Sequence, residues 1–318
     1  MTNLDIAQEL QRFNPITVIG AGTIGISWTA LFLAHGLSVR VNDPRPDLKE
    51  VVLDGINQIK PTLKAMGLPT DELTDRLVIE PDLERALEGV AVIQENGPER
   101  LEFKQDLFSK IEQIVDKDTL ILSSSSGIPS SDIAKSMKNP GRLLIGHPFN
   151  PPHLVPLVEV VPGAHTDEKA VEDAVIFYKS LGKEPLVLNK EMPGFVANRL
   201  QAAIFREAVY LVMEGVVTME DLDKIVTNSI GLRWAVGGPF LTFHLGGGKG
   251  GLPTFLKHLG PGLDKRWNQL GEPRLDEPTV KALSDKARAS YGKVPIEKLE
   301  QLRDQKQISV LHELKSKD

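Results

Sequence analysis

Apolar and polar positions alternate in two rhythms up to about residue 188 and then settle into one. Ile16, Val18 and Ile19 read as a buried strand, residues 24–34 as the helix that follows, and residues 37–41 as a second strand. Next comes a long, polar, helix-prone segment at 47–66, then Gly67-Leu68-Pro69 and a shorter helical piece. That stretch, 44–76 in all, exceeds a usual crossover, so an insertion is expected there, either a surface helical hairpin or a lid over a ligand. Alternation then resumes, with strands at 77–79, 90–94, 120–122, 143–145, 155–161 and 186–188. Helices are expected near 83–87, 100–115 and 167–181. Strands trading places with helices predict an α/β fold with a doubly wound, mostly parallel sheet, whose ligands gather at the carboxyl ends of the strands.

Past Pro193-Gly194 the rhythm is helical only, in segments 197–213, 222–230, 252–259, 279–291 and 296–314. A chain of 318 residues also exceeds the size at which one core stops growing. Two domains are therefore expected, 1–191 of the doubly wound type and 192–318 all-α. Leu4, Ile6, Leu10 and Phe13 fit a short packing helix at the start.

Composition narrows the partners. A formal net charge of −6 without a long basic run argues against nucleic acid. The chain has no cysteine, which removes disulfides, thiolate metal sites and a cysteine nucleophile; no metal is expected. Asp5 and Glu9 interrupt the N-terminal apolar residues, so no secretory core is present, and no apolar run reaches membrane-spanning length. The end, Lys315-Ser316-Lys317-Asp318, fits no peroxisomal or retention address. The reading is a soluble cytoplasmic protein.

The chemistry starts at the first strand end, where Gly20-Ala21-Gly22-Thr23-Ile24-Gly25 forms G-x-G-x-x-G. Gly20 permits the tight turn, Gly22 lets backbone approach a pyrophosphate, and Gly25 lets the helix pack on the strand. The first amides of the helix, at Thr23 and Ile24, then face phosphate. Asp43, at the end of the second strand, suits the two hydroxyls of an adenosine ribose and repels a 2′-phosphate, which favours NAD over NADP despite Arg45 two residues on.

Three later strand ends carry polar groups. Residues 120–122 run into Ser123-Ser124-Ser125-Ser126-Gly127. Residues 143–145 run into Gly146-His147-Pro148-Phe149-Asn150, placing a histidine at the ligand edge. Glu159 lies inside the apolar run 155–161, where a carboxylate needs a partner, and His147 is the natural one.

These motifs, with Pro98-Glu99-Arg100-Leu101, Leu157-Val158-Glu159-Val160 and Pro193-Gly194-Phe195-Val196-Ala197-Asn198-Arg199, resemble the 3-hydroxyacyl-CoA dehydrogenase family across nearly the whole chain. Gly231-Leu232-Arg233-Trp234-Ala235 and Gly238-Pro239-Phe240-Leu241-Thr242 are similar to its branch of carnitine and L-gulonate 3-dehydrogenases (lambda-crystallin). The resemblance implies a Rossmann-type NAD domain and a helical substrate and dimerisation domain. It implies reversible oxidation of the 3-hydroxyl of a 3-hydroxy acid or 3-hydroxyacyl-CoA, and a homodimer. It also implies that His147 is the general base and Glu159 its partner, that Ser126 and Asn198 bind the reacting oxygen, and that Glu99 and Lys104 lie near the nicotinamide. The family's serine segment reads Ser-Asn-Thr-Ser-Ser, so Ser125 stands as an alternative to Ser126.

Arg233, in an otherwise apolar segment, suits bidentate capture of a free carboxylate, and a capping or ion-pairing role is the alternative. Trp234, Phe240 and Phe243 fit either an aromatic surface for a quaternary ammonium or core packing, and core packing is expected. Gly246-Gly247-Gly248-Lys249-Gly250-Gly251 lacks the Ser or Thr of a phosphate loop and is expected to be a mobile loop or subunit contact. The rival functional class is a non-catalytic, crystallin-like NAD-binding protein.

Overall fold

The computed structural model describes residues 9–315. Of the expected N-terminal helix, Leu10 and Phe13 are buried, while Leu4 and Ile6 lie outside the described residues, as do the last three residues of the C-terminal tetrapeptide. The chain divides into two compact units after Val196.

The first unit holds one eight-stranded sheet in the order β3-β2-β1-β4-β5-β6-β7-β8. Its strands are β1 (Ile16–Ile19), β2 (Val39–Asn42), β3 (Leu77–Ile79), β4 (Val92–Glu95), β5 (Leu120–Ser123), β6 (Leu143–Pro148), β7 (Leu157–Pro162) and β8 (Glu184–Val187). Chain direction reverses its march across the sheet between β1 and β4, and ligands of open α/β sheets bind at that switch point. Most strands are apolar on both faces because helices cover both. Val92, Leu120, Leu122 and Leu144 face one core with α1 (Thr23–Ala34), α2 (Leu48–Ala65) and α6 (Glu168–Ser180). Ile93, Ile121, Leu143 and Ile145 face the other core with α3 (Leu83–Leu87), α4 (Leu101–Ile114) and α5 (Ser130–Ile133). Aromatic rings of Phe13, Trp28, Phe32, Phe177 and Tyr178 interlock in the first core, each contributing on the order of 1.5–3 kcal/mol by burial.

Two features refine the pattern read in the sequence. The insertion after β2 is a long amphipathic helix, α2, followed by the expected shorter helical piece as a 3-10 turn at Leu73–Arg76. Val52, Ile56 and Leu63 are fully buried in the first core, and Gly55 lets Ile26 of α1 approach closely. That packing gives the segment a structural job. Second, β7 runs antiparallel to β6, because the connection between Pro148 and Leu157 holds no crossover helix.

The second unit is wholly helical among its described residues. It contains α7 (Ala197–Met213), α8 (Met219–Thr227), α9 (Ile230–Val236), α10 (Pro239–Gly246), α11 (Gly251–Trp267), α12 (Glu277–Tyr291) and α13 (Ile296–Lys315). The chain between α12's start and α11 is pinned at Gly271, whose N–H donates to Glu207 (2.8 Å) and whose carbonyl accepts from Arg206 (2.9 Å). Among the described residues only Val209, Val212 and Phe255 of this unit's apolar side chains are buried. Trp234, Phe240 and Phe243, expected to be core, are exposed, although Phe243 stacks on Phe255. The glycine run is a close-packed joint between α10 and α11 rather than an open loop. A Cβ at Gly247 would strike the Gly251 carbonyl, and one at Gly251 the His244 ring.

Candidate active site

At the switch point, Gly20 adopts φ +92, and a Cβ there would lie 2.7 Å from the Asn96 carbonyl oxygen, so the turn requires glycine. A Cβ at Gly25 would meet the Gly20 carbonyl, which fixes the close approach of helix to strand. Gly22 differs: nothing lies within 4 Å of its Cβ position, so backbone there borders open space. It is also the N-cap of α1, with no side-chain cap and no acidic residue in the first turn, so the amides of Thr23 and Ile24 are presented to an anion. Asp43, just past β2, accepts from the Ala21 amide (2.8 Å) and the Arg45 amide (3.0 Å), which holds its carboxylate beside the glycine turn. Arg45 is bound to Asp47 (2.7 Å) rather than left to seek a 2′-phosphate. An open glycine, uncapped amides and a fixed acid at the ribose position fit NAD.

The four serines after β5 do four different things. Ser123, fully buried, donates to Glu95 (2.5 Å). Ser124 joins a chain running behind the sheet: it donates to Asn96 (2.7 Å) and accepts from Gln94 (2.9 Å), whose amide oxygen accepts from the Tyr178 hydroxyl (2.8 Å). Burial pushes the Tyr178 hydroxyl far above its ordinary pKa, so it stays a neutral donor. Ser125 is buried and donates to Glu99 (2.8 Å), whereas Ser126 is exposed. Of the two alternatives, Ser126 is the exposed one.

Lys104, expected with Glu99 near the nicotinamide, pairs with Glu95 as well as with Glu99. The Lys104 ammonium, 1% exposed, bonds both oxygens of buried Glu95 (2.8 Å each) and stands 3.7 Å from Glu99. With two carboxylate oxygens already around it inside the protein, Lys104 acts as the counter-charge of Glu95. Glu95 escaped the sequence reading because it closes an apolar strand with no motif of its own.

His147 on β6 and Glu159 on β7 are partners in antiparallel register. Residues directly opposite in such a pair project to the same face. Here the imidazole Nδ1 lies 2.8 Å from Glu159 Oε2, with both residues at least 95% buried. The other carboxylate oxygen accepts from the Val196 amide (3.0 Å). Phe149 and Phe195 set their rings at 4.8 and 5.4 Å from the imidazole. A neutral imidazole that donates from Nδ1 to this carboxylate keeps its Nε2 lone pair for another partner. Nearby, His153 is tied to Ser27 of α1 by its ring Nδ1 (2.8 Å) and its amide (2.9 Å), a link between cofactor helix and post-β6 loop that no motif announced.

Of the remaining predicted residues, Asn198 opens α7 and is half-buried, and Arg233 lies exposed in α9, both in the helical unit. Among the described residues no cluster of three metal-ligating side chains occurs, and no helix is long and apolar enough to cross a membrane.

Fold and cradle define an NAD-dependent oxidoreductase. Residues 15–192 match the model of the 3-hydroxyacyl-CoA dehydrogenase NAD-binding domain and residues 194–286 that of its C-terminal domain; the chain belongs to the 3-hydroxyacyl-CoA dehydrogenase family. It is 44% identical to an L-carnitine dehydrogenase of Streptomyces coelicolor, over 82% of each chain. It is 42% identical to a 3-hydroxyacyl-CoA dehydrogenase of Gibberella moniliformis, over 92% of each. A solved structure of 5-formyl-3-hydroxy-2-methylpyridine 4-carboxylic acid 5-dehydrogenase superposes with TM-score 0.81 at 30% identity, covering 94% of this chain and 98% of that one.

Proposed function

We propose that the protein oxidises the 3-hydroxyl of a free 3-hydroxy carboxylic acid, with L-carnitine the foremost candidate, and that His147 is the general base. The observation that carries this is the buried His147–Glu159 pair at 2.8 Å. Removing hydride from a secondary alcohol requires the hydroxyl proton to leave as the carbonyl forms. His147 Nε2 takes that proton, while Glu159 holds the ring's orientation and stabilises the imidazolium. Ser126 and, by the family resemblance, Asn198 hydrogen-bond the oxygen and so aim the carbinol hydrogen. NAD, when bound, supplies the hydride acceptor. In the reverse direction His147 returns the proton.

Support for a free acid comes from the relatives named as carnitine dehydrogenases and from exposed Arg233, whose fork fits a carboxylate. The second reading, an acyl-CoA thioester, is favoured by the fungal relative. The test follows NADH absorbance with L-carnitine, other free 3-hydroxy acids and 3-hydroxybutyryl-CoA, in wild type and Arg233→Met. The free-acid reading expects turnover of the acids and a KM raised about tenfold or more in the variant. Strong preference for the thioester in both proteins overturns it. The apolar surface of α9–α11 and the family resemblance support a homodimer, and the lack of cysteine fits a reducing cytoplasm.

A further inference from the structure

We propose that Glu99 is a positioning residue, whose carboxylate shapes the 125–128 turn so that Ser126, and not Ser125, offers its hydroxyl to the substrate. The inference rests on the reading of Ser126 as a ligand of the reacting oxygen.

One oxygen of Glu99 gathers four donors from a single turn: the Ser125 hydroxyl (2.8 Å) and the amides of Ser126 (3.0 Å), Gly127 (2.9 Å) and Ile128 (3.3 Å). Successive amides converging on one anion form a nest, here filled by the chain's own carboxylate, and bonds to a charged acceptor are the stronger kind. Ser125 is drawn inward by the same contact. Its hydroxyl also accepts from the Ile128 amide (3.0 Å), and its 1% exposure leaves nothing for a ligand. Ser126 contributes its amide to the nest, so its side chain projects from a backbone fixed on Glu99.

The other end of the loop is fixed separately. Glu95 accepts from Ser123 (2.5 Å) and from the Gly97 amide (2.6 Å), and Lys104 neutralises it. Two carboxylates, one buried at a strand end and one at the mouth of α4, therefore hold the serine loop at both its ends. Four donors saturate Oε1 of Glu99, while its Oε2 stands 3.7 Å from the Lys104 ammonium. Its part in the reaction is carried through Ser126.

The test compares Glu99→Ala, Glu99→Gln, Ser126→Ala and the Glu99→Ala/Ser126→Ala double variant of the full chain. In Glu99→Ala, amide exchange at 126–128 accelerates, NADH affinity changes by less than about threefold, and kcat falls by about 10–100-fold, as loss of orientation by an ångström would produce. Adding Ser126→Ala to it costs little more, because both changes remove one interaction. Glu99→Gln, which keeps a carbonyl acceptor in the nest, recovers most of the loss.

Unchanged exchange at 126–128 in Glu99→Ala overturns the inference, whatever happens to activity. NADH affinity falling as far as kcat, with additive double-variant losses, also overturns it, by making Glu99 a cofactor ligand. Absence of turnover of every 3-hydroxy compound in wild type instead sinks the reading of the site, and exchange still judges the nest.

Discussion

At the scale of single residues, the candidate site is built around one imidazole, His147, whose Nδ1 faces Glu159. Glu159 engages Nδ1 and is itself held by the Val196 amide, so the ring is oriented before any substrate arrives. His147→Gln is expected to lower kcat by about 10²–10⁴-fold, the usual worth of a general base. NADH binding should stay within about threefold, because cofactor contacts lie on other strands. Fluorescence titration with NADH, beside steady-state rates, checks both halves; undiminished kcat would remove the imidazole from the mechanism. The pairing of His147 with Glu159 was legible because a carboxylate in an apolar strand needs a partner, and His147 stood at the carboxyl end of a strand, where ligands gather. The division of labour among Ser123, Ser124, Ser125 and Ser126 was not legible. Identical residues carry no label for direction, and their roles follow from neighbours at 94–99 that arrive from another strand.

At the scale of elements, β6 is fitted against α6 at one point, Gly146, where an added Cβ would lie 1.9 Å from the Tyr178 hydroxyl oxygen. Gly146→Ala is expected to cost about 1–3 kcal/mol by overpacking. Tyr178→Phe alone costs about 1 kcal/mol for the lost bond to Gln94. The double variant should be more stable than the sum of the two, and a denaturant series showing strict additivity would refute the clash. The far end of α1 offers a pH test. His35 bonds the Leu31 carbonyl (2.9 Å), and burial holds its pKa below the ordinary imidazole value; the hydrogen bond opposes this and the charge of Lys183 adds to it. A histidine lowered in the native state binds protons more readily when unfolded. Its stability contribution is therefore intact above the ordinary histidine pKa and is lost as pH falls from there toward the folded value. The melting temperature of His35→Asn should fall less than wild type's between about pH 7 and pH 5.5, and equal falls would clear His35 of the acid sensitivity. Most elements were legible from period alone, since strands apolar on both faces and helices apolar on one stripe differ plainly. The direction of β7 was not, because periodicity reports which face is buried and says nothing of which way a strand runs. The helix of the insertion was legible at 47–66, but its packing was not, because α2's buried stripe of Val52, Ile56 and Leu63 is sparse among charged residues.

At the scale of the whole molecule, the helical unit is under-filled as a single copy. Val236, Phe240, Leu245 and Trp267 are each at least 66% exposed, a quantity of apolar surface that isolated domains rarely show to water. Sedimentation equilibrium at micromolar concentration is expected to return twice the mass of one chain, and Phe240→Glu to weaken that association by at least about tenfold. A monomer under those conditions would refute the homodimer.

The cross-strand placement of His147 and Glu159 has a consequence for how such proteins diversify. Because the two side chains belong to adjacent strands in register, the pair is assembled once the sheet has formed. Substitutions in α8–α13 leave those two strands untouched, so the pair persists while the helical unit diverges. A lineage built on this plan keeps the pair wherever it keeps the sheet.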